Sequence, residues 1–132
     1  MYNLKYNRED NLLLVDVHGE ITSADMIEYI KKLEQYLEFT DKLYILQDSR
    51  DIETKVDLFD IPVIAEEFES ILDKYQFIKH ADIHHLPAST AYALVYQYNT
   101  KFPNYKYEIF NTSQSAASWL MEVFNNQSEL KK

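Results

Sequence analysis

Three side chains with the chemistry of metal ligands, His80, Asp82 and His84, occupy alternate positions of one short segment. Successive residues of a strand point to opposite faces, so the three would share one face while Ala81 and Ile83 occupy the other. Two imidazoles and a carboxylate suit zinc or another divalent ion. Strand residues two apart lie about 7 Å from each other, however, which is too far to hold one ion without a bend. The pattern therefore favours a solvated or interface face, and we predict no metal.

A second group of polar side chains falls where predicted strands end and predicted helices begin. In a parallel sheet these strand ends meet at one edge, and the helix N-termini point their free amides towards it. We therefore expect this edge to bind a ligand or a partner. Its candidate residues are His18, Asp48, Ser49, Arg50, Asp51, His85, Ser89, Thr90 and Asn111.

The carboxylate, imidazole and hydroxyl groups at this edge could do acid–base or nucleophilic chemistry. No serine–histidine–acid spacing in the sequence marks a recognised nucleophile elbow, and no glycine-rich phosphate loop is present. A catalytic interpretation would require a close, partly buried histidine–acid pair in a concave pocket, which a sequence cannot display. We predict a protein that is not an enzyme and that uses no cofactor.

The elements that would position these residues follow from hydrophobic periodicity. Strand patterns alternate with helical stripes, and polar or capping residues separate most of them. Thr22, with Asp25 three residues later, forms a capping-box pattern, and Asp60 with Pro62 marks another helix start. The predicted strands are 2–6, 12–17, 42–48, 77–85 and 105–110, and the predicted helices begin near 22, 60, 88–90 and 112–113.

Repeated strand–helix units with short connections require parallel pairing and right-handed crossovers, after an antiparallel hairpin at the start. Apolar and polar residues alternate in the strands, which favours helices mainly on one face of the sheet. We predict an α/β fold with a five-stranded mixed, mostly parallel sheet and four helices mainly on one face. It forms a single domain over residues 1–124, followed by a polar tail at 125–132.

The lone glycine, Gly19, is predicted to form a tight turn between the second strand and the first helix. A chain that uses glycine nowhere else would keep it there for one of two reasons. Either the backbone needs a positive φ, or a Cβ would not fit.

The composition narrows the function classes. The formal net charge is -9 and the 13 basic residues are scattered, so nucleic acid and anionic membranes would be repelled. No apolar run is long enough to span a bilayer, and no secretion signal is evident. With no cysteine, disulfides and thiol chemistry are excluded. We expect a cytoplasmic protein with no nucleic-acid partner and no membrane insertion.

Tyrosines off the main helical stripes, and one on the strand face opposite Leu43 and Ile45, point to an interface, because a tyrosine ring buries area while its hydroxyl stays hydrogen-bonded. We predict a homodimer on this ground, with some of these tyrosines lining the edges of the core instead. The tyrosines concerned are Tyr29, Tyr36, Tyr44, Tyr92 and Tyr96.

Two segments add a resemblance to a known family. Residues 17–22 read Val-His-Gly-Glu-Ile-Thr, and residues 110–120 have the pattern Phe-x-Thr-x-x-x-Ala-x-x-Trp-Leu. Together with the order of elements, they resemble the stand-alone STAS-like (SpoIIAA-like) domain family. Its members are similar in fold to anti-sigma-factor antagonists and to the STAS domains of sulphate transporters. The resemblance covers almost the whole chain in layout, and it implies a βα superhelix that acts through protein interaction.

The same resemblance implies a regulatory switch that this chain lacks. In antagonist members a serine or threonine at the start of the second helix is phosphorylated, whereas residues 55–61 here contain neither a hydroxyl group nor a glycine. Ser49 and Thr54 are displaced alternatives, and a phosphate next to Asp48 or Asp51 would meet like charge.

The leading hypothesis is therefore a protein-interaction or regulatory module without the serine switch, whose protein partner is unknown. Its alternative is a protein that binds a nucleotide or lipid-like ligand at the strand-end edge. A hydrolase comes third.

Overall fold

The structure, a computed structural model, describes residues 2–36 and 41–130, with side chains for all of these except residue 36 and residues 122–130. This described part forms five strands, one 3₁₀ turn and four α-helices. They are β1 (Tyr2–Asn7), β2 (Leu12–Thr22), α1 (Ser23–Tyr36), β3 (Lys42–Lys55), the 3₁₀ turn (Leu58–Asp60), α2 (Ile61–Leu72), β4 (Phe77–Ile83), α3 (Pro87–Asn99), β5 (Tyr105–Phe110) and α4 (Ser113–Leu130).

The sheet repeats the order of the chain. Its strands run β1-β2-β3-β4-β5, with β1 antiparallel to β2 and the other neighbouring pairs parallel. Parallel crossovers are right-handed, so successive connections that each move on to the next strand put α1, α2 and α3 on the same face. The predicted α/β fold with a five-stranded, mostly parallel sheet is confirmed.

The larger hydrophobic core lies between the sheet and these three helices. Alternate residues of β2 and β3 enter it, and the apolar stripes of α1 and α2 close it. Full burial of one such aliphatic side chain stabilises the fold by about 1.5–3 kcal/mol. Its most deeply buried members include Leu13, Leu33, Leu43, Ile45, Ile71 and Ile78.

A smaller core lies on the opposite face, beneath α4. Tyr44, Ala81 and Ile83 meet Ala116 and Leu120 there, and each of these side chains is at most 5% exposed. α4 follows the last strand of the described sheet and makes no crossover, so the handedness rule does not hold it to the first face. Because α1, α2 and α3 share one face, the prediction that helices lie mainly on one face is confirmed.

β2 and β3 run past the rest of the sheet as a parallel ribbon. Residues 18–22 of β2 pair with residues 51–55 of β3, beyond a bulge near Asp16 and His18. The predicted end of the third strand at residue 48 was wrong, because pairing with β2 on both sides of the bulge keeps the polar residues 49–51 in β3.

Gly19 lies in this ribbon, so the predicted tight turn was also wrong. Its φ is +80°, and a Cβ built on it would meet no atom within 4 Å. The positive φ, and not a lack of room, therefore favours glycine here. The predicted capping box follows directly: Thr22 N–H donates to Asp25 Oδ2 at 2.9 Å, and Asp25 N–H donates to Thr22 Oγ1 at 3.1 Å.

α4 continues to Leu130, past the predicted start of a polar tail at residue 125. The side chains of residues 122–130 and all of residues 131–132 lie outside what the structure describes. The domain limit at residue 124 and the polar tail therefore stay predictions.

Candidate ligand-binding cavity

A cavity lies between the sheet and α1, α2 and α3, where the carboxyl ends of β2, β3 and β4 meet. The space open to the centre of a water-sized sphere is about 90 Å³. One water needs about 10–15 Å³ on this measure, so the cavity has room for several waters or for part of a small molecule. It is partly open to solvent, and aliphatic and aromatic side chains form most of its wall. They include Val17, Ile21, Met26, Ile30, Ile64 and Phe68.

β4 presents polar side chains to this cavity from alternate positions. His80 and Asp82 are 4% exposed and His84 is 5% exposed, and all three line the wall. The predicted alternation is correct, but the predicted solvated or interface face was wrong. The polar side of β4 lies beneath the helices, while Ala81 and Ile83 are buried under α4. Both sides of this strand are therefore covered.

Two tyrosine hydroxyls and the ring of His80 form the first half of a hydrogen-bond chain. Tyr96 Oη lies 3.2 Å from Tyr105 Oη, which lies 2.7 Å from His80 Nδ1. On the other side of the ring, His80 Nε2 lies 2.9 Å from Gln47 Oε1, an atom that can only accept. Burial lowers the pKa of His80 to about 4. The ring is thus neutral at pH 7, with its proton on Nε2.

Asp82 is the acceptor at which the chain ends. Gln47 Nε2 donates to Ser49 Oγ at 2.9 Å, and Ser49 Oγ donates to Asp82 Oδ1 at 2.7 Å. The other carboxylate oxygen accepts from Tyr107 Oη and, at 2.8 Å, from His84 Nε2. Burial alone would raise the pKa of Asp82, but these interactions with His84 and Tyr107 outweigh it and the pKa is lowered. Asp82 is therefore a buried, ionised carboxylate with three donors.

The tyrosines near this carboxylate stay protonated. Burial, followed by the negative charge of Asp82, raises the pKa of Tyr107. Burial also raises the pKa of Tyr96 and of Tyr105. Each hydroxyl keeps its proton, so the hydrogen-bond chain has one direction, from Tyr96 towards Asp82.

His84 connects the carboxylate to the start of α3. Its Nδ1 lies 3.1 Å from Oγ of Ser89, while its Nε2 faces Asp82. Ser89 is 3% exposed and lies in the first turn of α3, whose beginning is set by Pro87. Because an ionised carboxylate only accepts, Nε2 carries a proton towards Asp82, and Nδ1 is the nitrogen that meets the serine.

Two hydroxyl oxygens in the cavity wall are buried without a hydrogen-bond partner among the described residues. They are Tyr29 Oη and Thr54 Oγ1. Tyr29 is 5% exposed, and its ring packs edge-on against that of Tyr2 with centroids 5.1 Å apart. An unpaired buried hydroxyl costs about 1–3 kcal/mol, so a molecule that pairs with these groups gains free energy here.

Of the residues predicted for the strand-end edge, Ser49 and Ser89 lie in the cavity wall. Asp48 and Arg50 lie on the other side of β3. There Arg50 donates from Nε to Asp48 Oδ1 at 2.9 Å and from its terminal nitrogen to Oδ2 at 2.6 Å. These hydrogen bonds lower the pKa of Asp48.

The other predicted residues lie away from the cavity. Thr90 Oγ1 donates to Leu86 O at 2.8 Å, and His18 is half-buried in the ribbon. Neighbours in a strand point to opposite faces, so polar residues that are adjacent in sequence do not form a single surface. Binding at these positions stays a prediction. The remaining three, Asp51, His85 and Asn111, are exposed.

Several polar residues of the cavity wall were not among those predicted for the strand-end edge. The sequence does indicate the position of Gln47, because this residue follows Leu43 and Ile45 at alternate positions of β3 and so shares their side of the sheet. No local pattern indicates that the hydroxyls of Tyr29, Thr54 and Tyr107 line a cavity, since their surroundings depend on distant elements.

Among the side chains that the structure describes, no group of three from His, Asp or Glu is placed to hold a metal ion. The nitrogens of His80 and His84 that face this network already bind Gln47, Tyr105, Asp82 and Ser89.

A solved structure is similar to this chain in fold. A crystal structure of an uncharacterised protein of the DUF3478 family, from Shewanella loihica PV-4, is described as having a SpoIIAA-like fold. It matches this chain with a TM-score of 0.57, over 91% of this chain and 92% of the other, at 18% identity. The chain has a SpoIIAA-like fold. The resemblance inferred from residues 17–22 and 110–120 is thereby confirmed for the fold.

No protein-family model matches the sequence, and no curated protein is significantly similar to it. None of the described helices is long and apolar enough to cross a membrane.

In this SpoIIAA-like fold, the segment that leads into the second helix forms part of the cavity wall. Val56 and Ile61 line the cavity on either side of the 3₁₀ turn, and Asp57 caps that turn by accepting from Phe59 N–H at 2.9 Å. The segment that leads into α2 is therefore next to an apolar cavity.

Proposed function

We propose that this protein binds a small, neutral and mostly apolar molecule in the cavity. The observation that carries the proposal is the pair of unpartnered hydroxyls, Tyr29 and Thr54, in a wall that is mainly aliphatic and aromatic. Small-molecule sites are commonly concave and apolar, with a few polar groups that fix the orientation of the ligand. The alternative hypothesis from the sequence was a nucleotide or lipid-like ligand at the strand-end edge. The present proposal keeps the lipid-like ligand and places it in the cavity.

The charges around the cavity favour a neutral ligand. Asp82 is ionised, His80 is neutral at pH 7, and no lysine or arginine lies among the described residues of the wall. A phosphate or carboxylate placed here would lose its hydration beside a negative charge and find no fixed positive charge in return. Nucleotides and free fatty acids are thus poor ligands, whereas alcohols, ketones, amides and esters are suitable.

The unpartnered hydroxyls indicate the polar atoms of the ligand. Burial raises the pKa of Tyr29, so its hydroxyl keeps its proton and can donate. A carbonyl or hydroxyl oxygen on the ligand would accept from Tyr29 or Thr54. One such hydrogen bond contributes about 0.5–1.5 kcal/mol net. Each square ångström of buried apolar surface adds about 25 cal/mol.

A thermal-shift panel of size-matched compounds tests this proposal. Neutral alcohols, ketones and esters should raise the Tm, and the corresponding carboxylates and nucleotides should leave it unchanged. Tyr29→Phe and Thr54→Val should each weaken the affinity about 2- to 10-fold. Tyr98→Phe, at a tyrosine that is 74% exposed, is the matched control and should bind as the wild type does.

Three results would contradict the proposal. The first is that no neutral compound raises the Tm. The second is that carboxylates bind as tightly as their neutral analogues, and the third is that the Tyr29 and Tyr98 variants behave alike.

Protein interaction is the second candidate, and one apolar surface favours it. Leu58 and Phe59 of the 3₁₀ turn are 51% and 89% exposed, and Val63 in the first turn of α2 is 48% exposed. The tyrosines first expected at an interface give less support, because Tyr29 and Tyr44 are buried within the chain and the side chain of residue 36 lies outside the described part.

Light scattering at tens of micromolar protein tests the predicted homodimer and whether it forms through this surface instead of through the tyrosines. A wild-type dimer that becomes a monomer in Phe59→Ser supports the interaction role. A monomer in both proteins, or a dimer that Phe59→Ser leaves intact, contradicts it.

A further inference from the structure

Three side chains in the cavity wall stand in the order that nucleophilic catalysis needs. Ser89 Oγ lies 3.1 Å from His84 Nδ1, and His84 Nε2 lies 2.8 Å from Asp82 Oδ2. Each residue is at most 5% exposed, and each lines the cavity. A hydroxyl within hydrogen-bond reach of an imidazole, which a third group orients, is the arrangement of an activated serine. It is also the buried histidine–acid pair that a sequence cannot display.

Asp82 can orient His84 because the carboxylate is itself held on both oxygens. Ser49 Oγ donates to Oδ1 at 2.7 Å, and Tyr107 Oη donates to the oxygen that also faces His84. In a ring whose only proton is on Nε2 and directed at this carboxylate, the lone pair lies at Nδ1, 3.1 Å from Ser89 Oγ, and the same hydroxyl also has the Leu86 carbonyl as an acceptor at 3.3 Å. His84 is therefore placed as a base for that hydroxyl.

The first turn of α3 provides backbone amides near Ser89. Pro87 begins the helix, and its first intrahelical bond runs from Thr90 N–H to Leu86 O at 3.0 Å. The amides of Ala88 and Ser89 precede that bond, so they have no acceptor within the helix. Amides at a helix start stabilise negative charge, and these two are close in the chain to any oxyanion formed at Ser89.

We propose that Ser89 attacks the carbonyl carbon of a neutral ester bound in the cavity, with His84 as its base and Asp82 as the residue that positions the base. This inference rests on the proposed function, since the ester is a neutral ligand of the same cavity. It goes beyond that function and replaces the sequence-based expectation of a protein that is not an enzyme.

The steps balance without a cofactor. Ser89 Oγ bonds to the carbonyl carbon, and its proton moves to His84 Nδ1. The bond from that carbon to the alkoxy oxygen then breaks, and the alcohol leaves with the proton. Water, deprotonated by the same nitrogen, attacks the acyl carbon. The bond from that carbon to Ser89 Oγ then breaks, the proton held on Nδ1 returns to Oγ, and the carboxylic acid product loses its own proton to solvent. The carboxylate product carries a charge like that of Asp82, which favours its release.

Covalent labelling tests the nucleophile directly. An alkyl fluorophosphonate should add one phosphonyl group to the wild-type protein, and peptide mapping should place it on Ser89. Ser118, an exposed serine of α4, is the internal control and should stay unmodified. Hydrolysis of a short p-nitrophenyl ester should fall at least about 100-fold in Ser89→Ala and in His84→Gln, as expected when a general base and its nucleophile are removed. Equal hydrolysis in the wild type and Ser89→Ala would overturn the proposal.

A cysteine variant provides a test that does not depend on ester turnover. The chain has no cysteine, so Ser89→Cys has a single thiol beside His84, and Ser118→Cys has a single exposed thiol as its match. The pH profile of alkylation by iodoacetamide should lie at least about one pH unit lower for Ser89→Cys, because an adjacent imidazole promotes the thiolate. Adding His84→Gln should remove the difference. Coincident profiles for the two single variants would overturn the role of His84.

Ligand binding separates the failure of this inference from that of the proposed function. Ser89→Ala keeps Tyr29 and Thr54, so a neutral alcohol should raise its Tm as it does in the wild type. Retained shifts without labelling at Ser89 overturn the nucleophile and leave the binding function standing. The absence of any shift and of any labelling in the wild type overturns both.

Discussion

The two sides of β4 face different buried environments, one apolar and the other polar. On one side, Ala81 and Ile83 pack against Leu120 of α4 in an apolar core. On the other, His80 and Asp82 lie equally deep but belong to a chain of hydrogen bonds beside a cavity. Burial alone therefore does not separate core from site. The apolar side contributes stability directly, whereas the polar side is stable only while each buried group keeps its partner.

The largest effect is expected from removing the charge at the centre of the polar side. In Asp82→Ala the donors of Ser49, His84 and Tyr107 lose their acceptor, and the free energy of unfolding should fall by about 3–5 kcal/mol. Asp82→Asn keeps the shape and should lose about 1–3 kcal/mol. Urea unfolding followed by the fluorescence of Trp119 measures both variants. A loss below about 1 kcal/mol in Asp82→Ala would show that this side does not depend on the carboxylate.

The apolar side should lose stability without losing ligand affinity. Leu120 is 5% exposed beneath α4, and Leu120→Ala removes most of its contacts, at about 2–3 kcal/mol by urea unfolding. No described residue of α4 lines the cavity, so a neutral ligand should give the same Kd as with the wild type. A weaker affinity in this variant would mean that the two sides of β4 are coupled.

Acid should also lower the free energy of unfolding through the polar side of β4. Burial lowers the pKa of His80 from 6.5 to about 4. Between these values the unfolded chain binds a proton that the native protein does not, so stability falls as the pH drops through this range. The loss attributable to His80 is about 2 kcal/mol between about pH 7.5 and pH 5.

Urea unfolding across this pH range, in matched variants, isolates that loss. His80→Gln should flatten the dependence by this amount, whereas His85→Gln, at an exposed position, should keep it. If His80→Gln and the wild type lose the same free energy on acidification, the neutral, buried state assigned to His80 is incorrect.

The smallest effect is expected at an aspartate of the neighbouring strand. Asp48 pairs with Arg50 at 2.6 Å, but both side chains are 36% exposed. Solvent screens such a pair, so Asp48→Ala should change the free energy of unfolding by no more than about 1 kcal/mol. A double-mutant cycle with Arg50→Ala measures the coupling. A coupling of about 3 kcal/mol or more would remove the distinction between this carboxylate and Asp82.

Features decided by neighbouring residues were predictable from the sequence. Thr22 and Asp25 form their capping box across three positions, and the alternation along β4 separates His80 from Ala81 as expected. The parallel order of strands followed from the short connections. Each of these depends on spacing, which a sequence displays directly.

Features decided by distant partners were not predictable from the sequence. His80 is buried because Gln47 and Tyr105 bind its ring, and these residues lie 33 and 25 positions away. A strand pattern shows which residues share a side, but not whether their polar atoms can satisfy one another. The predicted third strand stops short of residues 49–51 because the strand that pairs with this stretch, β2, is distant in the sequence.

The strands lie in the sheet in the same order as in the chain, which affects how the protein folds during its synthesis. No strand of the described sheet is inserted between two that precede it, so each can dock on a free edge as the nascent chain leaves the ribosome. α4 is synthesised after all of these strands. The apolar side of β4 is therefore sealed last, and a translation arrest before Ser113 would leave Ala81 and Ile83 open to chaperones or to neighbouring chains.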